Sequence, residues 1–191
     1  MGIITIVALG AIAVIAAYFV MVYNNLVQLK HNVSKAWANI DVLLKQRHDE
    51  LPKLVETCKQ YMKFEQETLQ KVMEARSRVF AAREPRDVGA LGPAEASLRA
   101  SLGNLFAVAE AYPDLKTNQT FLQLQGRISA LENAIADRRE FYNESVNVNN
   151  VRIEQFPDVI VAGAFNFKPF ALLEFDAAEK SDVDVKELFK S

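Results

Sequence analysis

Apolar residues fill positions 3 to 23 almost without interruption, and no Asp, Glu, Lys or Arg occurs before Lys30. A helix over that run reaches about 30 Å at about 1.5 Å per residue, which matches the hydrocarbon core of a bilayer. Inside it, Thr5 and the tyrosines carry the only polar side-chain groups, and a threonine hydroxyl can bond back to a carbonyl of its own helix. The pattern predicts an uncleaved transmembrane anchor over residues 1–23. A secretory signal would need a basic n-region and a shorter apolar stretch. The chain lacks that n-region, and its apolar run continues past Ala11, Ala13, Ala16 and Ala17 through Phe19, Val20, Met21 and Val22.

Beyond the run the period changes to that of an amphipathic helix. Leu26, Leu29, Val33, Ala36, Ile40 and Leu43 recur in steps of three and four, so the membrane helix is expected to run on into the domain. Asp49 to Pro52 predicts a hairpin or kink, because Asp49 can cap and proline is tolerated in a first turn but not in a helix interior. A second helix is predicted from Pro52 to Ala82, with Leu54, Val55, Cys58, Met62, Leu69, Val72, Met73 and Val79 inward. Arg83 to Pro93 contains two prolines and two glycines and reads as the main loop, with Pro93 opening a third helix.

The third helix places Leu98, Leu102, Leu105, Ala109 and Tyr112 on a heptad-like, coiled-coil-type stripe and is expected to stop at Tyr112-Pro113. Thr117 or Asn118 is positioned to cap a fourth. That helix carries Phe121, Leu124, Ile128, Leu131, Ile135, Tyr142 and Val146 and is expected to end near Phe156-Pro157. Four long striped helices predict an all-α chain: a transmembrane helix continuing into an antiparallel, up-and-down-like four-helix bundle over residues 24–156. Val159 to Ala162 is β-branched enough for a short extended piece. Phe165, Phe167, Phe170 and Phe175 then crowd around Pro169 in a segment, residues 157–175, expected to pack on the bundle and offer an interaction surface. Residues 176–191 form an acidic tail, expected to be solvated.

A formal net charge of -2 and a pI near 5.8 give no electrostatic footprint for nucleic acid. The single cysteine, Cys58, excludes an intramolecular disulfide and reads as a small buried apolar side chain. Lys30, Lys35, Lys45 and Arg47 follow the span while only the terminal amine precedes it. Positive charge beside a span tends to stay in the cytoplasm, so the N-terminus is expected outside and the bundle inside.

Candidate chemistry is sparse. His31 and His48 lie too far apart for a zinc spacing and read as surface residues; neither a nucleophile elbow nor a phosphate-binding glycine loop occurs. Asn-x-Ser/Thr triplets at Asn32, Asn118 and Asn143 carry little weight on helices of a domain expected in the cytoplasm. The Glu-x-x-His pairs that hold di-iron in bundles are absent as well. No catalytic residue, cofactor or metal is expected, and the chain does not read as an enzyme. What stands out is polar residues in or beside the apolar stripes: Asn39, Asp41, Arg47, Glu56, Arg138 and Asn143. They are expected to satisfy one another as a structural hydrogen-bond network fixing helix register, with a ligand site as the alternative.

The run YNNLVQLKHNVSKAWANIDVLLKQRHDELPKLVETCKQY, from Tyr23 to Tyr61, resembles the LemA family of bacterial membrane proteins, with Ala36-Trp37, Asn39-Ile40-Asp41, Arg47 and Leu51 to Thr57 in place. AYPDLKTNQTFLQLQGRISALENAIADRREFYNESV, from Ala111 to Val146, and FPDVIVAGAFNFKPFALLEF resemble the family's other two blocks. Asn149-Asn150 departs from an expected Tyr-Asn pair. The resemblance implies one N-terminal span in the bacterial inner membrane followed by a cytoplasmic bundle, and it implies no reaction.

Together these readings lead to a membrane-anchored scaffold or adaptor of the cell envelope that works through protein-protein contact. Its expected partners are the bilayer, other copies of itself and a further membrane protein. Self-association through the small residues Gly10, Ala11, Ala13, Ala16 and Ala17 is one route. The alternatives are a regulatory partner of a membrane protease or quality-control system, and an enzyme or ligand receptor using the polar cluster.

Overall fold

The computed structural model describes residues 2–83 and 86–174, and all regular structure among them is helical. In chain order the helices are α1 (Ile3–Lys59), α2 (Gln66–Arg83), α3 (Val88–Ala109), α4 (Pro113–Lys116), α5 (Gln119–Glu154) and α6 (Asp158–Ala164). Phe175, the acidic tail and Pro85 of the predicted loop lie outside the described residues. The described residues form two compact units, 2–40 with 137–172, and 41–136 with 173–174.

The second unit is an antiparallel four-helix bundle made by the distal part of α1, α2, α3 and the proximal part of α5. Asp41 and His48 of α1 meet Arg83 and Arg76 of α2, in descending order. Arg47 and Glu50 of α1, and Tyr61 just beyond its end, likewise meet Glu132, Arg127 and Asn118 near or on α5. Leu44, Leu51, Leu54, Val72, Leu98, Leu105 and Ile128 are essentially sealed from solvent. Burying each such side chain contributes about 1.5–3 kcal/mol relative to exposure, which is why the stripes decide the helix faces. Met73, Leu131 and Tyr112, predicted inward, are only half-buried, and Ala75 takes an inward place instead. An added Cβ at Gly92 would lie 2.9 Å from the Glu174 carbonyl oxygen, so the chain passes this helix where only glycine leaves room.

Two predicted boundaries are corrected. No hairpin interrupts Asp49 to Pro52: α1 runs through Pro52 to Lys59, and the reversal comes at residues 60–65. Proline in a helix leaves the carbonyl four residues earlier without its amide partner, and that carbonyl belongs to His48. The Arg76 Nε–H donates to the His48 oxygen at 2.8 Å and supplies the missing bond from the neighbouring helix. Likewise α3 starts before Pro93, at Val88, where the Asp87 side chain accepts from the Ala90 amide at 3.0 Å as a true N-cap. Asn118 does the same for α5, accepting from the Phe121 amide, as the sequence predicts.

The first unit contains the apolar N-terminal part of α1. Among residues 3–23 only Val22 is buried, and an apolar window long enough to cross a membrane has none of its residues buried. The distal part of α5 runs antiparallel to α1: Trp37 meets Tyr142 edge-on, centroids 5.7 Å apart, and Ile153 packs with Val22 and Leu26. Residues 159–162, predicted to be extended, belong to α6, because Val161 and Ala162 complete that same cluster from a helical turn. A Schellman-type closure ends α6: Asn166 is left-handed at φ 55° and the Phe167 amide bonds the Ala162 carbonyl at 2.9 Å.

Candidate functional site

Arg47 is the central polar group of the bundle unit. Its side chain is 1% exposed and joins Glu95 of α3 and, at 2.6 Å, Glu132 of α5. Burial alone would lower its pKa, but the attraction and hydrogen bonds of the two carboxylates outweigh that and raise it. One buried cation facing two carboxylates leaves an excess negative charge, which Arg99, 3.9 Å from Glu132, helps to balance. Both terminal nitrogens of Arg47 are therefore engaged by carboxylates of the protein, the arrangement of a structural tie rather than of an open ligand pocket.

The predicted polar residues do not form one network. Asp41 is half-buried and makes a two-pronged pair with Arg83, at 2.5 and 2.9 Å. Glu56 is exposed and lies 3.7 Å from Lys59. Asn39 and Arg138 are exposed and Asn143 is half-buried. The physical reason is helical register: Arg139, not Arg138, sits four residues after Ile135 and three before Tyr142, and it is the buried member of the pair. Glu95 is legible by the same logic, lying between Leu91 and Leu98 on the α3 stripe.

His48 is not a plain surface residue. Its ring stacks on Phe80 at 4.6 Å, and Arg76 Nη2 lies 2.6 Å from Nε2. Arginine can only donate, so Nε2 accepts and the ring is neutral with its proton on Nδ1. Burial and then the Arg76 charge lower the His48 pKa. The folded state thus binds fewer protons than the unfolded state just below pH 6.5, so this contribution is present above that pH and is lost as pH falls. Urea unfolding should therefore move to lower urea between pH 7.5 and pH 5.5, and by less in His48→Asn.

The aromatic segment forms a cleft of about 460 Å³ in the first unit, lined by Tyr23, Lys30, His31, Phe165, Phe167 and Lys168 among others. Tyr23 stands 4.7 Å from Phe165 and 6.0 Å from Phe167, centroid to centroid. Asn150 clamps the returning chain: its Nδ2 donates to the Phe170 carbonyl at 2.9 Å and its Oδ1 accepts from the Phe170 amide at 3.0 Å. The Tyr142 hydroxyl donates to the Ala171 carbonyl at 3.0 Å. Phe167 and Phe170 are half-buried, whereas Phe165 stays exposed. Asn149 and Asn150 carried no signal in the stripes beyond their departure from the family pattern, yet Asn149 is buried and Asn150 holds the segment. Among the described residues, no group of His, Cys, Asp and Glu is placed to hold a metal ion.

Comparison with known proteins adds three findings. The model of the LemA family matches residues 36–186. Protein LemA of Metamycoplasma hominis is 31% identical over 178 residues, covering 90% of this chain and 78% of that protein. Magnetosome protein MamQ 2 of Paramagnetospirillum magneticum is 23% identical over a 205-residue alignment, covering 95% of this chain and 75% of that one.

Proposed function

Because this chain belongs to the LemA family, we propose that it is a membrane-anchored scaffold or adaptor that acts through protein-protein contact and self-association, without catalysis. The observation that carries this reading is α1 itself. One helix contains both a lipid-length apolar stretch and, further along, the Arg47 that ties the bundle together. The relatives named as magnetosome proteins are named for a cellular structure and not for a reaction, which is in keeping with this reading. The saturation of Arg47 and Asp41 by Glu95, Glu132 and Arg83 removes the polar cluster's best donors and acceptors from ligand duty, which favours the scaffold over a receptor.

The span's flanking charges favour an inner-membrane protein with the bundle in the cytoplasm. Thiol labelling tests this. Cys58 is buried and burial pushes its thiol up to about 12, so it stays silent; Phe64→Cys, at a site 92% exposed, serves as reporter. Labelling by an impermeant maleimide is expected only after permeabilisation, and labelling of intact cells contradicts this orientation. Affinity capture from detergent extracts tests the scaffold itself. Co-purification of further copies or of a defined membrane protein is the expected result, and recovery of the chain alone counts against it.

A further inference from the structure

We infer that the chain reversal around Phe156, α6 and Phe165 is a foot that sits in the bilayer interface, on the leaflet from which α1 emerges. The argument starts from α5, which descends along α1 from the Trp37–Tyr142 contact to the level where Ile153 meets Val22 and Leu26. Val22 belongs to the last turn of the apolar span. Phe156 follows three residues after Ile153, about 4–5 Å further in the same direction if the helical rise is kept. The reversal therefore lies level with the lipid boundary.

Its outward face has the chemistry of that boundary. Val161 and Ala162 turn inward onto Val22 and Leu26, while Phe156 is 81% exposed, Phe165 62% exposed, and Val159 and Ile160 are exposed beside them. A cluster of large apolar side chains on a solvated surface is unfavourable, but here it is continuous with the lipid-facing Phe19, Val20 and Tyr23 of the span. Tyr23 and Phe165, in ring contact, make an aromatic belt of the kind found at the headgroup level. Lys30 and Lys168 line the cleft just behind it, with stems long enough to carry ammonium groups to lipid phosphates. The Asn150 clamp on Phe170 and the ion pair of Arg152 with buried Asp158 brace the foot from above. The occupant of this face is the bilayer, and the anionic leaflet in particular. The inference rests on the span crossing the membrane, and its test separates the two.

The full-length chain, carrying one reporter cysteine at a time, is labelled with an environment-sensitive fluorophore and reconstituted into phosphatidylcholine–phosphatidylglycerol vesicles containing nitroxide lipid. Phe156→Cys and Phe165→Cys report the foot, Ile12→Cys the span and Phe64→Cys the bundle. Because interfacial elements lie about 5–10 Å into the headgroup and acyl boundary, quenching at 156 and 165 is expected to be about twice that at 64 or more, at all protein-to-lipid ratios. Strong quenching at 12 with 156 and 165 no higher than 64 overturns the foot and leaves the span intact. Absence of quenching at 12 overturns both. Quenching at 156 and 165 that emerges only at one chain per vesicle assigns the face to a second copy and likewise overturns the proposal.

Discussion

Replacing Arg47 with methionine is expected to lower the stability of the bundle by about 3–5 kcal/mol, the usual consequence of removing one partner from a buried ion pair. Methionine fills much of the volume, so the loss is electrostatic. Glu95, 4% exposed, and Glu132 would be left without the cation between them, with only the partly exposed Arg99 beside Glu132. For a chain of this size that corresponds to a melting temperature lower by roughly 10 °C, read by circular dichroism in detergent. Two further results follow from the cause. Adding Glu95→Gln to Arg47→Met should recover part of the loss, because the neutral side chain needs no counter-charge. Acidification should narrow the deficit as well: with their carboxyl pKa values raised in the variant, folding takes up protons, so its stability rises as pH falls. A variant as stable as the parent would mean that Arg47 is not the tie described above.

Arg76→Ala is expected to cost about 1–3 kcal/mol, the penalty for stranding a part-buried carbonyl. Its Nε–H is the donor that replaces the amide absent at Pro52. Pro52→Ala restores an amide four residues after His48, and alanine suits a helix interior better than proline by up to about 3 kcal/mol. In that background the His48 carbonyl regains an intrahelical partner, so Arg76→Ala should hurt less. The coupling between the two changes is expected at about 0.5–2 kcal/mol, within the range for groups that share a partner. Simple additivity in a double-mutant cycle by urea unfolding would contradict this account of how α1 passes through proline. Any residual cost of Arg76→Ala with alanine at 52 reports its second bond, to the His48 ring.

These two sites also mark where the sequence is legible and where it is not. The apolar run and the three-and-four stripes are properties of single helices, so the all-helical bundle, the continuity of α1 past Lys30 and the Asn118 cap can be read directly. Pro52 misleads because its rescue comes from Arg76, a donor on another helix that no local rule can see. Asp87 misleads in the opposite sense: it caps α3 six residues before the proline that reads as the start. Residues 159–162 look β-branched, but burying Val161 and Ala162 together against α1 requires helical spacing.

Among polar residues, Arg47 and Asp41 stand out in or beside the stripes and Glu95 lies on one, but that they pair with Glu95, Glu132 and Arg83 in this way is not legible, because pairing is a property of helix order and register. The choice of Arg138 over Arg139 shows how narrow the margin is, since one residue is about 100° around a helix. The phenylalanine segment is legible as a surface feature. Its fastening by Asn150 and Tyr142 is not, because both partners are backbone groups of residues 170 and 171.

The scaffold proposal makes assembly its central claim, and the direct measurement is the mass of the chain crosslinked in its native membrane, solubilised in detergent, with the crosslinked species identified. The account predicts discrete species above the 21.4 kDa chain, made of further copies or of a defined membrane partner. A chain that runs as a monomer at native abundance, with no protein crosslinked to it, would contradict it.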